Sequence, residues 1–332
     1  MFYLLREQKL CFCRASKIQI LKKLRAVLSL NVLKIRTKKH IFVKGDTFFT
    51  NMNKKPTVAL IYDFDGTLSP GNLQEYDFIP TVGQSNKEFW DASEQLAIDQ
   101  DADPILTYMA KMIHEARSNG MSLKREAFQE SGRHIHLYKG VVEWFRRINA
   151  YGAFKGINVV HYINSSGIKE IIEGTPIAHE FRKIYACSFL YDVDGVAYWP
   201  GVAINYTNKT QFIFKINKGV ESVYDAKAVN RFIPEEERAV PFTHMIYFGD
   251  GTTDIPCMRL VKSSGGHSIA VYDPECPSSK EARCNLIREN RVNYICPADY
   301  SEGTYLDTVV KAIIDKIAAD DKLQMLVNPE DK

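Results

Sequence analysis

The chain has 332 residues and a formal net charge of +3, with 45% hydrophobic and 25% charged residues. This length suits one large domain or two ordinary ones, and the composition is that of a soluble globular protein. No run of about 18 uncharged apolar residues occurs, so the sequence predicts no transmembrane helix. The seven cysteines lack the spacing of a zinc site. Their odd number, without a secretory signal, favours reduced thiols and a cytoplasmic protein.

The positive charge is concentrated at the N-terminus. Residues 1–55 hold 14 of the 43 basic residues and two of the 40 acidic ones, which leaves 29 basic and 38 acidic residues for the rest. The acidic remainder does not indicate nucleic-acid binding. The basic segment 1–51 allows three interpretations: a membrane-surface or targeting helix, an arm that binds nucleic acid or a partner, or a non-functional extension. We favour the extension, because Met52 lies just ahead of the first predicted core strand.

The first core strand is predicted at residues 58–62, a continuous apolar run that ends in Asp63 and Asp65. Such a run is typical of a strand buried on both faces in a parallel sheet, and Gly66 marks the turn after it. In an open parallel sheet the binding crevice lies at the carboxyl ends of the strands. We therefore expect both carboxylates to face a binding site.

Residues 73–137 are predicted to form a mostly helical insertion. Apolar residues recur there at roughly helical spacing among many charges. Asp103 and Pro104 have the pattern of a helix start, and Asn119 with Gly120 that of a helix end. Because the segment is much longer than an ordinary loop, we expect it to lie over the site.

A second core strand is predicted at residues 158–164, followed by Ser165, Ser166 and Gly167. A helix is predicted from Ile168. The hydroxyls and free backbone N–H groups of such a strand-to-helix turn favour an anion. The turn is therefore a candidate phosphate site.

Three further patterns follow. A β-hairpin is predicted around the turn at residues 192–195, and Lys218 stands at the head of a helical pattern. Another apolar strand at residues 245–248 leads to Asp250, with Asp254 four residues later. Acid pairs thus follow two predicted strands.

Two acid pairs at strand ends, with a serine turn and a lysine between them, suit phosphoryl transfer. Carboxylate oxygens are ligands that Mg²⁺ prefers. A phosphate dianion repels a carboxylate nucleophile unless cations neutralise both, and the leaving oxygen needs a proton donor. The residues therefore predict chemistry on a phosphate ester.

These motifs resemble, in order, the four motifs of the haloacid dehalogenase superfamily, over about residues 56–318. The insertion and the hairpin resemble its phosphoserine-phosphatase-like branch. The resemblance implies a doubly wound, Rossmann-like α/β parallel sheet with a helical cap inserted after the first strand. We expect the core at residues 52–72 and 138–320, the cap at 73–137 and a C-terminal tail at 321–332.

The resemblance also implies roles for the four acids. Asp63 would attack phosphorus, form the aspartyl-phosphate intermediate and ligate Mg²⁺. Asp65 would protonate the leaving alkoxide, then activate water, and ligate Mg²⁺ through its backbone carbonyl. Asp250 would ligate the metal directly, and Asp254 would complete or orient the metal shell.

The phosphoryl group would be bound by Ser165, Ser166, Gly167 and Lys218, of which Ser165 and Lys218 are also predicted catalytic residues. Lys218 would neutralise Asp63 and the phosphate. Ser166 stands where the phosphoserine enzymes usually carry glycine. The substrate is therefore predicted only as a small-molecule phosphoester.

We expect a Mg²⁺-dependent phosphatase that hydrolyses a small phosphomonoester through an aspartyl-phosphate. The alternatives are a phosphotransferase with the same intermediate and a non-catalytic phospho-ligand-binding module. Asp65 favours a phosphatase over a dehalogenase, because a halide needs no proton. Glu75 and Arg133 are candidates, by type and position alone, for gripping an amino-acid substrate, and Lys111 or Lys124 for a phosphonate-cleaving Schiff base.

Overall fold

The computed structural model describes residues 55–326, so the predicted extension at 1–51 lies outside the described residues. One sheet of seven strands forms the centre of this part, in the order β4-β3-β2-β1-β5-β6-β7. All neighbouring strands are parallel except β3 and β4. The strands are β1 (Thr57–Tyr62), β2 (Asn158–Ile168), β3 (Lys183–Tyr191), β4 (Ala197–Val202), β5 (Met245–Gly249), β6 (His267–Tyr272) and β7 (Tyr294–Pro297).

The strand order reverses at β1. The chain proceeds outward from β1 through β2, β3 and β4, and then returns to place β5, β6 and β7 on the other side. Right-handed crossovers on the two sides of such a switch point place helices on opposite faces of the sheet. The predicted doubly wound α/β fold is confirmed.

The central strands are apolar because they are buried on both faces. Residues 58–62 of β1 and all five residues of β5 are buried. This explains why each strand reads as a continuous apolar run rather than an alternating one.

Helices surround the sheet and fill the long insertion after β1. They are α1 (Phe78–Thr81), α2 (Asn86–Gln100), α3 (Pro104–Ser118), α4 (Arg125–Gly132), α5 (Val141–Phe154), α6 (Lys169–Gly174), α7 (Lys209–Lys218), α8 (Ala226–Asn230), α9 (Ile255–Ser263), α10 (Pro277–Arg288) and α11 (Tyr305–Leu326). Among the described residues, no helix combines the length and the apolar character needed to cross a bilayer.

The insertion is helical, as predicted. Helix α3 starts after Asp103, whose carboxylate accepts hydrogen bonds from the N–H groups of Ile105 and Leu106, and it ends at Ser118. The division into core and cap domains stays a prediction. The tail expected from residue 321 is wrong at its start, because α11 continues to Leu326.

Helix α4 of the insertion lies directly against α6, which follows β2. A Cβ atom at Gly132 would lie 2.1 Å from the carbonyl oxygen of Ile171, and one at Gly174 would lie 1.7 Å from that of Gln129. The backbones of α4 and α6 are therefore in direct contact at these two glycines, which anchors this end of the insertion on helix α6.

The predicted hairpin is confirmed by the antiparallel pairing of β3 and β4. Its turn is held by Asp192, whose Oδ1 accepts hydrogen bonds from the N–H groups of Asp194 and Val196. The acids of this turn form local turn contacts, as expected for an Asp-Gly hairpin.

Candidate active site

The strand register brings the predicted motifs to one edge of the sheet. Tyr62 of β1 pairs with Ile163 of β2 and with Phe248 of β5. The residues that follow these three strand positions therefore emerge side by side. This is why segments nearly 190 residues apart in the chain build one site.

Asp63 directly follows β1 at this edge, lines the bottom of the cleft there and is 5% exposed. Its backbone N–H donates to the carbonyl of Phe248 at 2.9 Å. Carboxylate oxygens of Asp63, Asp250 and Asp254 all lie within 4.8 Å of one another. Burial and the carboxylates of Asp254 and Asp250 raise the pKa of Asp63 to about 7, against the lowering effect of Lys209.

Asp65 lies two residues further on and also lines the cleft. Its Oδ1 accepts a hydrogen bond of 2.9 Å from the N–H of Leu73. Burial, and next the charge of Asp63, raise the pKa of the Asp65 carboxyl well above its usual value. The geometry thus favours a carboxyl group that keeps its proton.

The first motif turns at Gly66, which has φ +69°. A Cβ at this position would lie 2.4 Å from Asp250 Oδ2. Glycine is required here for two reasons, the left-handed backbone and the close approach of the second acid pair.

Asp250 follows β5 and lines the cleft. Burial and Asp254 raise its pKa to about 6, whereas Arg283 lowers it. Arg283 Nη2 donates to Asp250 Oδ2 at 2.8 Å. Asp250 is therefore a cleft carboxylate that already carries one cationic partner.

Asp254 is fully buried and surrounded by donors. Its Oδ1 accepts from Lys209 Nζ at 2.6 Å and from the Tyr247 hydroxyl at 2.7 Å. Its Oδ2 accepts from the N–H groups of Asp250 at 3.3 Å and Gly251 at 3.4 Å. These contacts favour the orienting role that was one of its two predicted roles.

The lysine at the site is Lys209, and the prediction of Lys218 is corrected. Lys209 Nζ lies 3.1 Å from Asp63 Oδ1 and is fully buried. Lys218 Nζ instead donates to the backbone carbonyls of Val229 at 2.6 Å and Arg231 at 2.8 Å.

The physical reason is the direction of helix α7. Lys218 is the last residue of this helix rather than its head. The nine steps from Lys209 to Lys218, at a rise of about 1.5 Å per residue, place the two lysines about 14 Å apart along the helix axis. Only the N-terminal end of α7 reaches the carboxylates.

The charge balance around Lys209 favours its protonated form. Burial lowers the pKa of Lys209, but Asp254 and Asp63 raise it further, so that the net shift is upward. A fully buried ammonium group between two carboxylates is a paired charge.

Ser165 and Ser166 line the same cleft. They lie within β2, which continues to Ile168, so the predicted helix start at Ile168 is one residue early. The pairing of β2 with β3 shifts between Asn164 and Ile168, which frees this part of the strand from a regular ladder.

Ser165 is fully buried, and its Oγ accepts from the N–H of Gly167 at 3.0 Å. Ser166 Oγ is buried without a hydrogen-bond partner among residues 55–326. The hydroxyl of Tyr108 donates to the Ser166 carbonyl at 2.6 Å and so ties helix α3 to this segment. The serines are thus placed beside the acids, with one hydroxyl unpaired.

The four alternative candidates outside the motifs do not line this cleft. Glu75 accepts from Asn72 and from Trp90 Nε1. Arg133 forms an ion pair with Glu130, and Lys111 forms one with Glu115. Lys124 is exposed to solvent.

The cleft has a volume of about 860 Å³ and is lined from both the sheet edge and the insertion. Besides the motif residues, its walls include Trp90, Ser93, Glu94, Ile105, Tyr108, Tyr138, Asp273, Ser279 and Arg283. Such a volume is that of a small-molecule site.

The donor set fits a hard divalent cation. Three carboxylates with oxygens within 4.8 Å of one another concentrate negative charge on oxygen ligands alone. Oxygen-only ligands suit Mg²⁺, whereas Zn²⁺ is more often held by nitrogen and sulfur.

Sequence reasoning missed Lys209, Tyr247 and Arg283. Lys209 follows a polar stretch with Thr207 and Asn208, which is a helix-start signal. Nothing local in the sequence marks Tyr247 or Arg283, because their partners are acids brought near them by the fold.

A family model of haloacid dehalogenase-like hydrolases matches residues 60–259, which is more than half of the chain. An uncharacterised protein of Borreliella burgdorferi is 28% identical over 289 residues, covering 77% of this chain and 96% of that protein.

A crystal structure of a HAD family hydrolase from Salmonella enterica serovar Typhi is similar in fold, with a TM-score of 0.50 and 16% identity over 79% of this chain and 73% of that chain. A substrate-bound phosphoserine phosphatase structure gives a TM-score of 0.47 at 15% identity, over 78% of this chain and 99% of that chain. Because the family model matches more than half of its length, this chain belongs to the haloacid dehalogenase-like hydrolases.

Proposed function

We propose that this hydrolase is a phosphatase that releases inorganic phosphate from a small phosphomonoester. One observation carries the proposal: Asp63 lies buried on the cleft floor, 3.1 Å from Lys209 and two residues before a second cleft carboxyl, Asp65. A nucleophile, a neutralising cation and an acid are thus gathered at one point.

The fold family implies Mg²⁺, and the donor set fits it. Asp63, Asp250 and the backbone carbonyl of Asp65 would hold the ion, with Asp254 orienting the loop from below. When bound, the ion supplies positive charge that neutralises phosphate oxygens.

In the first step, a carboxylate oxygen of Asp63 forms a bond to phosphorus, and the bond between phosphorus and the ester oxygen breaks. Asp65 gives its proton to the departing alkoxide, so the alcohol leaves neutral. Burial and the charge of Asp63 raise the pKa of the Asp65 carboxyl, which favours its proton-carrying form. Lys209 offsets the charge that Asp63 and the phosphoryl group bring together.

In the second step, Asp65 takes a proton from water as the water oxygen bonds to phosphorus. The bond between Asp63 and phosphorus breaks, which releases inorganic phosphate and restores both carboxyl groups. Ser165 and Ser166 line the cleft, and their hydroxyl groups would bind phosphoryl oxygens.

The proposal is tested by phosphate release from a panel of phosphomonoesters with the full-length protein and Mg²⁺. We expect turnover that disappears on chelation and is abolished in Asp63→Asn. Full activity of Asp63→Asn, or no phosphate release from any ester, would refute the proposal. Products formed with an added alcohol would reveal a phosphotransferase, which no described contact favours over hydrolysis.

A further inference from the structure

Arg283 is a cation of the cleft that none of the recognised motifs includes. It extends from helix α10, 33 residues after Asp250 in the chain, and its side chain is 18% exposed. Nη2 donates to Asp250 Oδ2 at 2.8 Å, whereas the buried Nε has no hydrogen-bond partner among residues 55–326. The guanidinium therefore has donor capacity to spare beside a candidate metal ligand.

The charges of the site show what this cation can do. Four carboxylates face two basic side chains: Asp63, Asp65, Asp250 and Asp254 against Lys209 and Arg283. A fixed positive charge repels a divalent cation that binds nearby and attracts a phosphate dianion. Because Arg283 is mostly buried, solvent screens these two effects only partly.

The orientation of Asp250 does not depend on Arg283 alone. The carboxylate is packed against Gly66, where even a Cβ would lie 2.4 Å from its Oδ2. The backbone N–H of Asp250 is also bound by Asp254. A neutral replacement of Arg283 would therefore remove its charge while it leaves Asp250 largely in place.

We propose that Arg283 is a binding residue that couples the two ligands of the cleft, by weakening the binding of a divalent cation and strengthening the binding of phosphate. The inference rests on the proposed function. It assigns to Arg283 a role in loading: the cation is held more loosely until the dianion arrives and engages the guanidinium.

Calorimetry on the full-length protein tests this coupling without any turnover. The dissociation constant of Mg²⁺ is measured alone, and that of inorganic phosphate at saturating Mg²⁺. In Arg283→Gln, which keeps a side-chain donor but loses the charge, we expect Mg²⁺ to bind about tenfold more tightly and phosphate about tenfold more weakly. Arg283→Lys, which keeps the charge, should stay within about threefold of wild type for both ligands.

The matched control is Arg288→Gln on the same helix. Arg288 is exposed, hydrogen-bonds Asn285 at 3.2 Å and does not line the cleft. Arg288→Gln removes the same charge from the molecule, but at a site outside the cleft. Both affinities should therefore stay unchanged. A shift equal to that of Arg283→Gln would attribute the effect to net charge and overturn the proposal.

The decisive feature is the opposite sign of the two shifts. If Arg283→Gln weakens both ligands together, or alters neither, the proposal is wrong. If this variant does not fold by circular dichroism, Arg283→Lys decides, because a parallel loss of both affinities in that charged variant overturns the coupling.

Failure of this inference and failure of the proposed function remain distinguishable. A wild-type protein that releases phosphate from esters, with no opposite shifts in Arg283→Gln, loses the inference alone. If the two affinities of Arg283→Gln shift in opposite directions but the wild-type protein hydrolyses no ester, the coupling is supported and the proposed phosphatase function is wrong. A wild-type protein that binds neither Mg²⁺ nor phosphate overturns the coupling.

Discussion

The two acid pairs at the sheet edge look alike in the sequence but have different environments. Asp63 and Asp65 both line the cleft. Asp250 also lines it, but Asp254 is fully buried and accepts hydrogen bonds from four groups, one of them Lys209. In the proposed reaction the first pair would supply two reacting groups, whereas the second pair has one carboxylate in the cleft and one that is buried beneath it.

The spacing within each pair accounts for this difference. Asp65 lies two residues after Asp63, ahead of the left-handed turn at Gly66, and stays in the cleft. Asp254 lies four residues after Asp250, at the end of the helical turn Thr252–Asp254, which directs it back beneath its own loop. Four predictions test this division of roles.

The largest expected effect comes from the second acid of the first pair. Asp65→Asn should lower kcat for alkyl phosphates by about 10²–10⁴-fold, because the leaving alkoxide loses its proton donor. The loss should be much smaller for p-nitrophenyl phosphate, whose leaving group needs no proton. Steady-state phosphate release from both esters measures this, with inactive Asp63→Asn as the reference. Equal losses on both esters would remove the acid role from Asp65.

The second pair should separate stability from metal binding. Asp254→Asn should lower the free energy of unfolding by about 3 kcal/mol, because the buried Lys209 loses a charged partner. Asp250→Asn should leave stability unchanged or raise it at pH 7.5. Burial raises the pKa of the Asp250 carboxyl to about 6, above its value in the unfolded chain, so the charged carboxylate present at pH 7.5 lowers the free energy of unfolding.

Urea unfolding and Mg²⁺ calorimetry on both variants measure this contrast. We expect Asp250→Asn to lose Mg²⁺ binding while its unfolding midpoint holds. If Asp254→Asn unfolds like wild type and loses only the metal, the two acids are equivalent ligands and the division of roles is wrong.

A smaller effect is expected where Tyr247 supports Asp254. Tyr247→Phe deletes the hydroxyl that donates to Asp254 Oδ1 at 2.7 Å in a fully buried place. The free energy of unfolding should fall by about 2 kcal/mol, the range for a hydrogen bond to a charged group. Tyr294→Phe is the control, since the half-buried Tyr294 makes no hydroxyl hydrogen bond among the described residues. Equal denaturation curves for the two variants would contradict the prediction.

The smallest effect is expected at the lysine that the sequence suggested. Lys218→Met should keep phosphate release within about twofold of wild type and lose less than about 1 kcal/mol of stability. Lys209→Met, at the other end of α7, should lose nearly all activity because Asp63 and the phosphate are no longer neutralised. A reversed result would return the catalytic role to Lys218.

The sequence was informative where chemistry and local structure coincide. An apolar run that ends in Asp63 predicts both a buried strand and an acid at its carboxyl end, and the parallel register then places Asp250 beside it. The prediction of Lys218 was wrong because the spacing of apolar residues indicates a helix but not which end of that helix faces the site. The left-handed Gly219 after Lys218 is the helix-end signal that would have reversed the assignment.

Other contacts cannot be read from one sequence. Arg283 meets Asp250 across 33 residues, and its pattern there is that of any basic residue on a half-exposed helix. Tyr247 is one apolar position in a buried strand until the fold places Asp254 under its hydroxyl. Both depend on tertiary proximity alone.

The packing of helix α4 against helix α6 depends on two glycines, neither of which lines the cleft. Gly132 and Gly174 allow helices α4 and α6 to meet backbone to backbone, and a side chain at either position would overlap the opposite carbonyl. An alanine at either position would push helix α4 of the insertion away from helix α6, which directly follows the strand that contains Ser165. We therefore expect that some variants with an altered substrate preference will carry their substitution at the contact between α4 and α6, away from the charged residues of the cleft.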